Sequence, residues 1–237
     1  MGKTINDVFI LTPAELTLLA AGKGITGIMS VEGTVHRFDE AEIFKAMNHL
    51  YQTGMIYNTE DGGYELQKDL EDILAIVNNA HSMVLIRDFA KEGSFKVVYI
   101  GKGIAATEQT AVERDVFRLY YVPLDELMDF LDDDMDERNK PYRPVLDQEN
   151  MIENVVKSKK ILEPVQIDIL GNALSMAEVV SLKTGRVSKR FVLMQGEKTN
   201  CVYNYKPESG ICVMEGCMQL KEFIIQAVQE ELANDIS

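Results

Sequence analysis

The sequence predicts an α+β fold: an antiparallel sheet built from two meander-plus-helix halves, preceded by a helical, winged-helix-like N-terminal unit. Three observations predict it. Up to about residue 80 the apolar residues recur mainly at helical spacings of three and four. Beyond that point they mostly alternate in short runs separated by turns, as in strands. This second pattern occurs twice, and each occurrence ends in an amphipathic helix. The predicted units are 1–80, 81–157 and 158–237.

Two capped helices are predicted to open the first unit. Thr12-Pro13-Ala14-Glu15 combines a capping residue, a proline suited to the first helical position and the acid of a capping box, and Gly22 ends the helix. Asp39 and Glu42 repeat the capping pattern before the second helix. One face of that helix is marked by apolar residues at the 3–4 spacing: Ile43, Phe44, Met47, Leu50 and Tyr51. Residues 25–36, between the helices, are predicted to be extended.

A hairpin and a third helix complete this unit. Runs at 55–57 and 64–66 flank Glu60-Asp61-Gly62-Gly63, which is typical of a hairpin turn. The helix that follows has an apolar face of Leu70, Ile73, Leu74 and Val77. Residues 40–66 therefore have the helix–strand–turn–strand order of a winged helix.

The two meanders follow. The first is predicted to have strands near 83–88, 94–100, 103–109 and 112–122 and a helix from Pro123. Residues 132–144, rich in aspartate, are predicted to form a linker or a surface loop, and a short helix covers 151–156. The second meander is predicted to have strands near 165–169, 175–182, 188–195, 199–205 and 211–214 and a helix over 220–232. The meanders form one continuous sheet or two small ones, and we expect the helices to cover one face.

The charge of the chain excludes several partners. Its formal net charge is −14, and residues 1–157 carry 28 acidic against 15 basic side chains. Nucleic-acid phosphates and anionic lipid both require a basic surface. The winged-helix order itself carries acids at its helix start and turn: Asp39, Glu40, Glu42, Glu60 and Asp61. We therefore expect this unit to serve in packing or in protein contact rather than in DNA binding.

The sequence offers no motif for catalysis or metal binding. No sequence partner can be named for the three histidines, His36, His49 and His81. The three cysteines contain no C-x-x-C pair and are expected to be reduced thiols. No apolar run is long enough to span a bilayer, and residues 1–22 are interrupted by charges and a proline, unlike a signal peptide. We expect a cytoplasmic protein that is not an enzyme and has no cofactor.

Tyrosines and methionines are the candidate partner-binding residues. Alternation places Tyr120 and Tyr121 on opposite faces of a strand, so one is exposed unless both faces are covered. Exposed aromatics favour protein interfaces, whereas flexible thioethers suit adaptable binding surfaces and, more often, irregular cores. The predicted binding residues are Tyr120, Tyr203, Tyr205, Met194 and Met214.

This organisation is similar to that of the type VII secretion chaperones, the EspG family of actinobacteria and the EsaE-like proteins of Firmicutes. The resemblance lies in the early capped helix at 12–16, the acidity and the two meander-plus-helix halves. It implies a central antiparallel sheet with pseudo-twofold character and flanking helices. It also implies a cytosolic protein that binds a helical secretion substrate or toxin and presents it to a membrane secretion ATPase. The winged-helix-like region departs from the family pattern, and no binding residue carries over by motif.

Three other functions remain open at the level of sequence. An acidic immunity protein would neutralise a nuclease toxin by imitating the phosphate backbone. A winged-helix transcription regulator would use residues 40–66. An enzyme without a recognisable motif would require a polar pocket.

Overall fold

The structure, a computed structural model, describes residues 8–25, 38–89, 95–109, 116–132, 173–195, 200–206, 211–216 and 219–234. Within them the α-helices are α1 (Pro13–Gly22), α2 (Glu40–Gln52), α3 (Lys68–Asn78), α4 (Leu127–Asp132) and α5 (Leu220–Asn234). The strands of the N-terminal part are β1 (Val8–Leu11), β2 (Ile56–Asn58) and β3 (Tyr64–Leu66). The first meander has β4 (Ser82–Asp88), β5 (Phe95–Ile100), β6 (Ile104–Gln109) and β7 (Phe117–Tyr121). The second has β8 (Ala173–Ser181), β9 (Val187–Gln195), β10 (Asn200–Lys206) and β11 (Ile211–Gly216).

Nine of these strands form a single antiparallel sheet in the order β1-β7-β6-β5-β4-β8-β9-β10-β11. The two meanders meet where β4 pairs with β8, in a register that runs from Ser82 opposite Ser181 to Asp88 opposite Ser175. Of the two arrangements left open by the sequence, the described residues thus form the continuous sheet. Strands β2 and β3 pair separately as the predicted hairpin.

Both predicted helix caps are present. The Thr12 hydroxyl accepts a hydrogen bond from the Glu15 N–H at 3.3 Å, and the Glu15 carboxylate accepts one from the Thr12 N–H at 2.7 Å. Asp39 and Glu42 make the same reciprocal pair at 2.8 and 2.9 Å. These bonds satisfy N–H groups that have no partner within the first turn of a helix, which is why the sequence identifies both helix starts.

Helices cover both faces of the sheet, so the expectation of one covered face is wrong. On one face, which we call the N-terminal face, α1, α2 and α3 share a hydrophobic core with sheet residues such as Leu85, Val97 and Leu119. On the opposite face, the C-terminal face, α4 and α5 pack against residues such as Val84 and Val98. The reason lies in the central strands: every residue of β5 is buried, and a strand apolar on both sides must be covered on both.

Strand β1 was not predicted, and it joins the N-terminal helices to the sheet. It lies at the sheet edge and pairs with β7, placing Phe9 opposite Leu119. Phe9 and Leu11 are buried in the same core cluster as α1 and α3. The predicted unit 1–80 therefore shares its hydrophobic core with the first meander.

Several predictions lie outside the described residues: the extended segment beyond residue 25, the linker beyond residue 132, the helix at 151–156 and the strand at 165–169. The order α2-β2-β3 matches the predicted order. Its assignment as a winged helix stays a prediction, as does the division into three units.

Candidate protein-binding surfaces

A buried polar cluster crosses the C-terminal face beneath α4. Lys96, Glu108 and Arg118 lie directly opposite one another on β5, β6 and β7. The Lys96 Nζ is 3.7 Å from Glu108 Oε1, and Arg118 Nη1 is 3.9 Å from Glu108 Oε2. The Tyr120 hydroxyl donates to Glu108 Oε2 at 2.8 Å. Two cations and a hydroxyl thus surround one buried carboxylate, which compensates its desolvation.

Lys96 connects this cluster to α4. Its Nζ donates to the Phe130 carbonyl oxygen at 2.6 Å and lies 4.4 Å from the centre of the Phe130 ring. That ring packs edge-on against Tyr120, with centroids 5.3 Å apart. Lysine thereby satisfies a carbonyl near the C-terminal end of a short helix, where the last carbonyls have no partner within the helix. The cluster fixes α4 on the sheet.

Tyr120 is part of this cluster rather than of an open surface. It is 8% exposed, and its neighbour Tyr121 packs against the core of the N-terminal face. Burial, followed by the hydrogen bond and the charge of Glu108, raises the pKa of Tyr120. The two tyrosines do lie on opposite faces, as alternation requires. The surface exposure that suggested Tyr120 is not found, because α4 and the N-terminal helices cover both faces here.

The other four predicted residues occupy register positions on one face of the C-terminal strands. Tyr203 is opposite Val192 and Met214, Cys201 is opposite Met194, and Tyr205 lies two positions beyond Tyr203. This is the N-terminal face, whereas Tyr120 lies on the C-terminal face. Its strand β7 is six strands from β10, a distance of roughly 29 Å at about 4.8 Å per strand.

Tyr203 and Val192 are 3% and 4% exposed, so this position of the sheet is buried within the chain. The structure brings four of the five predicted residues onto one face and leaves Tyr120 out. Their role in binding a partner stays a prediction.

An exposed apolar pair lies elsewhere, at the start of α2. Phe44 is 68% exposed and Ile43 38%, the former being the highest value among the large apolar side chains described. The same helix stripe continues inward to Leu50, which is 1% exposed. Sequence spacing places Ile43 and Phe44 on the same helix face as Leu50. The apolar stripe on this face is longer than the core that covers it, so its first residues are exposed.

Acidic side chains surround this apolar end of α2. Glu40 precedes Ile43 by three positions and Phe44 by four, so it lies on the same helix stripe. Asp39 and Glu42 belong to the same turn, and their capping bonds hold it in regular helical form. We call Glu40, Ile43 and Phe44 the α2 patch. It is a rigid apolar pair with a carboxylate at its end.

The hairpin tip is also acidic. Asp61 accepts hydrogen bonds from the Thr59 hydroxyl and the Gly63 N–H, and these bonds lower the pKa of Asp61. Its carboxylate therefore stays charged at neutral pH. In a DNA-binding winged helix this turn would approach phosphates, and a fixed negative charge there opposes that contact.

The polar groups suited to metal binding are dispersed in the described part of the chain. No group of three or more His, Cys, Asp or Glu side chains there could hold a metal ion. His49 on α2 contacts the buried carboxylate of Glu15 on α1. His81 Nε2 lies 3.8 Å from Glu231 Oε2 on α5. Both histidines join elements of the fold to one another. His36 lies outside the described residues.

Comparison with known proteins shows the fold. Neither a family model nor a curated protein matches the sequence. Among solved structures, the chain is similar to the Mycobacterium tuberculosis type VII secretion system chaperone EspG5, solved in complex with a PE25–PPE41 dimer. The TM-score is 0.53 at 8% sequence identity, over 97% of this chain and 96% of that chain. The chain therefore shares the overall fold of EspG5.

Among the described residues, no helix combines the length and the apolar character needed to cross a bilayer.

Proposed function

We propose that this chain is a cytoplasmic chaperone or adaptor of a type VII-like secretion machine. It binds a helical secreted protein, keeps it in solution and presents it to the membrane secretion ATPase, without catalysing a reaction. The observation that carries the proposal is the structural likeness to EspG5, which extends over 97% of the chain rather than over a common substructure. Fold alone does not define function, so the proposal needs a direct test of binding.

The physical character of the chain agrees with a protein partner. The charge of −14 disfavours nucleic acid and anionic lipid as partners. The polar cluster around Lys96 and Glu108 is buried beneath α4, where it has a structural role. The described residues also leave a rigid apolar pair exposed on α2. Exposed apolar side chains beside charged ones are a common composition of protein-binding surfaces.

The test is co-expression of the full chain with helical secreted proteins of its native host. We expect one of them to co-purify as a complex of fixed stoichiometry, measured by size-exclusion chromatography with light scattering. Deleting the gene should reduce the amount of that protein in the culture medium, and a plasmid copy should restore it. A secreted protein without helical character serves as the control. If no helical secreted protein forms a complex and secretion is unchanged, the proposal is wrong.

The immunity-protein hypothesis gives a different result in the same preparation. Its support is the acidity of the α2 start and of the hairpin tip, where Glu60 and Asp61 are exposed. If the co-purified partner is a nuclease, complex formation should abolish its activity at one equivalent, and the inhibition should weaken as salt is raised. If the nuclease stays active in the complex, the immunity-protein hypothesis is excluded.

A further inference from the structure

We propose that the α2 patch, Glu40, Ile43 and Phe44, is a docking site for an amphipathic helix that carries lysine or arginine beside its apolar stripe. The helical form of the partner rests on the proposed function. The location and the basic character rest on the exposure and charge of the patch.

The apolar pair provides the contact area. Phe44 is 68% exposed on a helix whose first turn is fixed by reciprocal capping bonds. A rigid aromatic side chain loses little conformational entropy on binding, which suits it to be an anchor residue. Ile43 lies beside it, and the partly buried Met47 continues the stripe towards the core. An incoming helix would extend the apolar packing of α2 from the core outward.

The charges around the pair select the partner. Residues 39–45 carry three carboxylates, Asp39, Glu40 and Glu42, against the single ammonium of Lys45. The carboxylates of Asp39 and Glu42 accept capping bonds, whereas Glu40 is exposed at the end of the stripe. A lysine or arginine on the partner would pair with Glu40 once its apolar side chains cover Phe44.

The same charges argue against other occupants. In a symmetric dimer of this chain the patch would face its own copy, which would bring two acidic helix starts together. An anionic membrane surface would be repelled by the same carboxylates. A basic amphipathic helix of a different protein has the complementary charge.

The test uses two labelled 18-residue peptides and the full-length chain. Both peptides carry a leucine stripe at helical spacing, one flanked by lysines and the other by glutamates. Fluorescence anisotropy should show that the lysine peptide binds the wild-type chain and that the glutamate peptide does not. Phe44→Ala should weaken binding of the lysine peptide by about tenfold or more, as expected for an interface anchor. Glu40→Lys should weaken it by about fivefold at low salt and by less at high salt.

Phe89→Ala is the matched control, since Phe89 is another exposed aromatic at 42%. It should change the affinity by less than about twofold because interface energy is concentrated in few residues. All variants should retain the wild-type circular dichroism spectrum, because the substituted side chains are exposed. If Phe44→Ala binds like the wild type, if the two peptides bind equally, or if neither binds, the inference is wrong. It is also wrong if the chain forms a dimer that Phe44→Ala dissociates.

The test of the docking site and the test of the chaperone role can fail independently of each other. A secreted substrate that binds the wild-type chain and Phe44→Ala equally supports the chaperone role and overturns this docking site. Peptide binding that depends on Phe44, without any secreted substrate, supports the site and overturns the chaperone role.

Discussion

Replacing Lys96 with methionine should destabilise the protein because it leaves a buried carboxylate and a buried carbonyl poorly compensated. Lys96 is 5% exposed and Glu108 8%, so neither site is open to bulk water. The substitution removes the hydrogen bond to the Phe130 carbonyl and the cation 3.7 Å from Glu108. Methionine has a similar length and fills most of the vacated volume.

The expected magnitude follows from what remains in the cluster. Removing one partner of a buried ion pair typically costs about 3–5 kcal/mol. Arg118 at 3.9 Å and the Tyr120 hydroxyl at 2.8 Å still face Glu108, so the lower end of that range applies. We expect Lys96→Met to lower the free energy of unfolding by about 3 kcal/mol. Glu108→Met should cost a similar amount because it leaves the Lys96 ammonium buried without its carboxylate.

The double variant decides between a coupled pair and two independent sites. Lys96→Met with Glu108→Met removes both buried charges together, so its cost should be about 3 kcal/mol rather than the sum of about 6 kcal/mol. The assay is urea unfolding of all four proteins, followed by circular dichroism at pH 7. A single Lys96 cost below about 1 kcal/mol, or additive single costs, would refute the reasoning.

Three further predictions concern buried or capping groups. Thr107 is 1% exposed, and its hydroxyl has no hydrogen-bond partner among the described residues. Thr107→Val should therefore raise the free energy of unfolding by about 1 kcal/mol, as measured by urea unfolding. Thr12→Ala should lower it by about 1 kcal/mol through loss of the α1 cap, whereas Thr12→Ser should retain most of it. The raised pKa of Tyr120 keeps its hydroxyl protonated in the folded state, while an unfolded tyrosine ionises near pH 10. Its stabilising contribution is therefore complete below pH 10 and is lost above it. The advantage of the wild type over Tyr120→Phe should shrink by about 1.4 kcal/mol between pH 8 and pH 11 in urea titrations, and a constant difference would contradict this.

Local sequence features predicted the helix starts and most strands. The capping pairs at Thr12 and Asp39 form in the structure because they involve groups only three residues apart. The hairpin between β5 and β6 is equally local: its short turn makes Ile100 opposite Ile104, and the same register makes Lys96 opposite Glu108. Counting outward from Gly101–Gly103 would have identified this ion pair.

Non-local pairing explains the features that the sequence patterns do not predict. Strand β1 has only four residues, and its partner β7 lies more than one hundred positions later. The exposure of Phe44 depends on how far the core extends along α2, which helical spacing does not show. The burial of Tyr120 depends on α4 lying over β7, held there by Lys96 from β5.

The sequence by itself determined the α+β class, the capped helices, the two meanders and the acidic character of the chain. These properties follow from spacing, capping and charge, which act over a few residues or over composition as a whole. Only the tertiary structure decided that the meanders form one sheet, that helices cover both faces, and which aromatic side chains are buried. Those outcomes depend on contacts between residues far apart in the chain, where apolar surfaces are buried by whichever element packs over them.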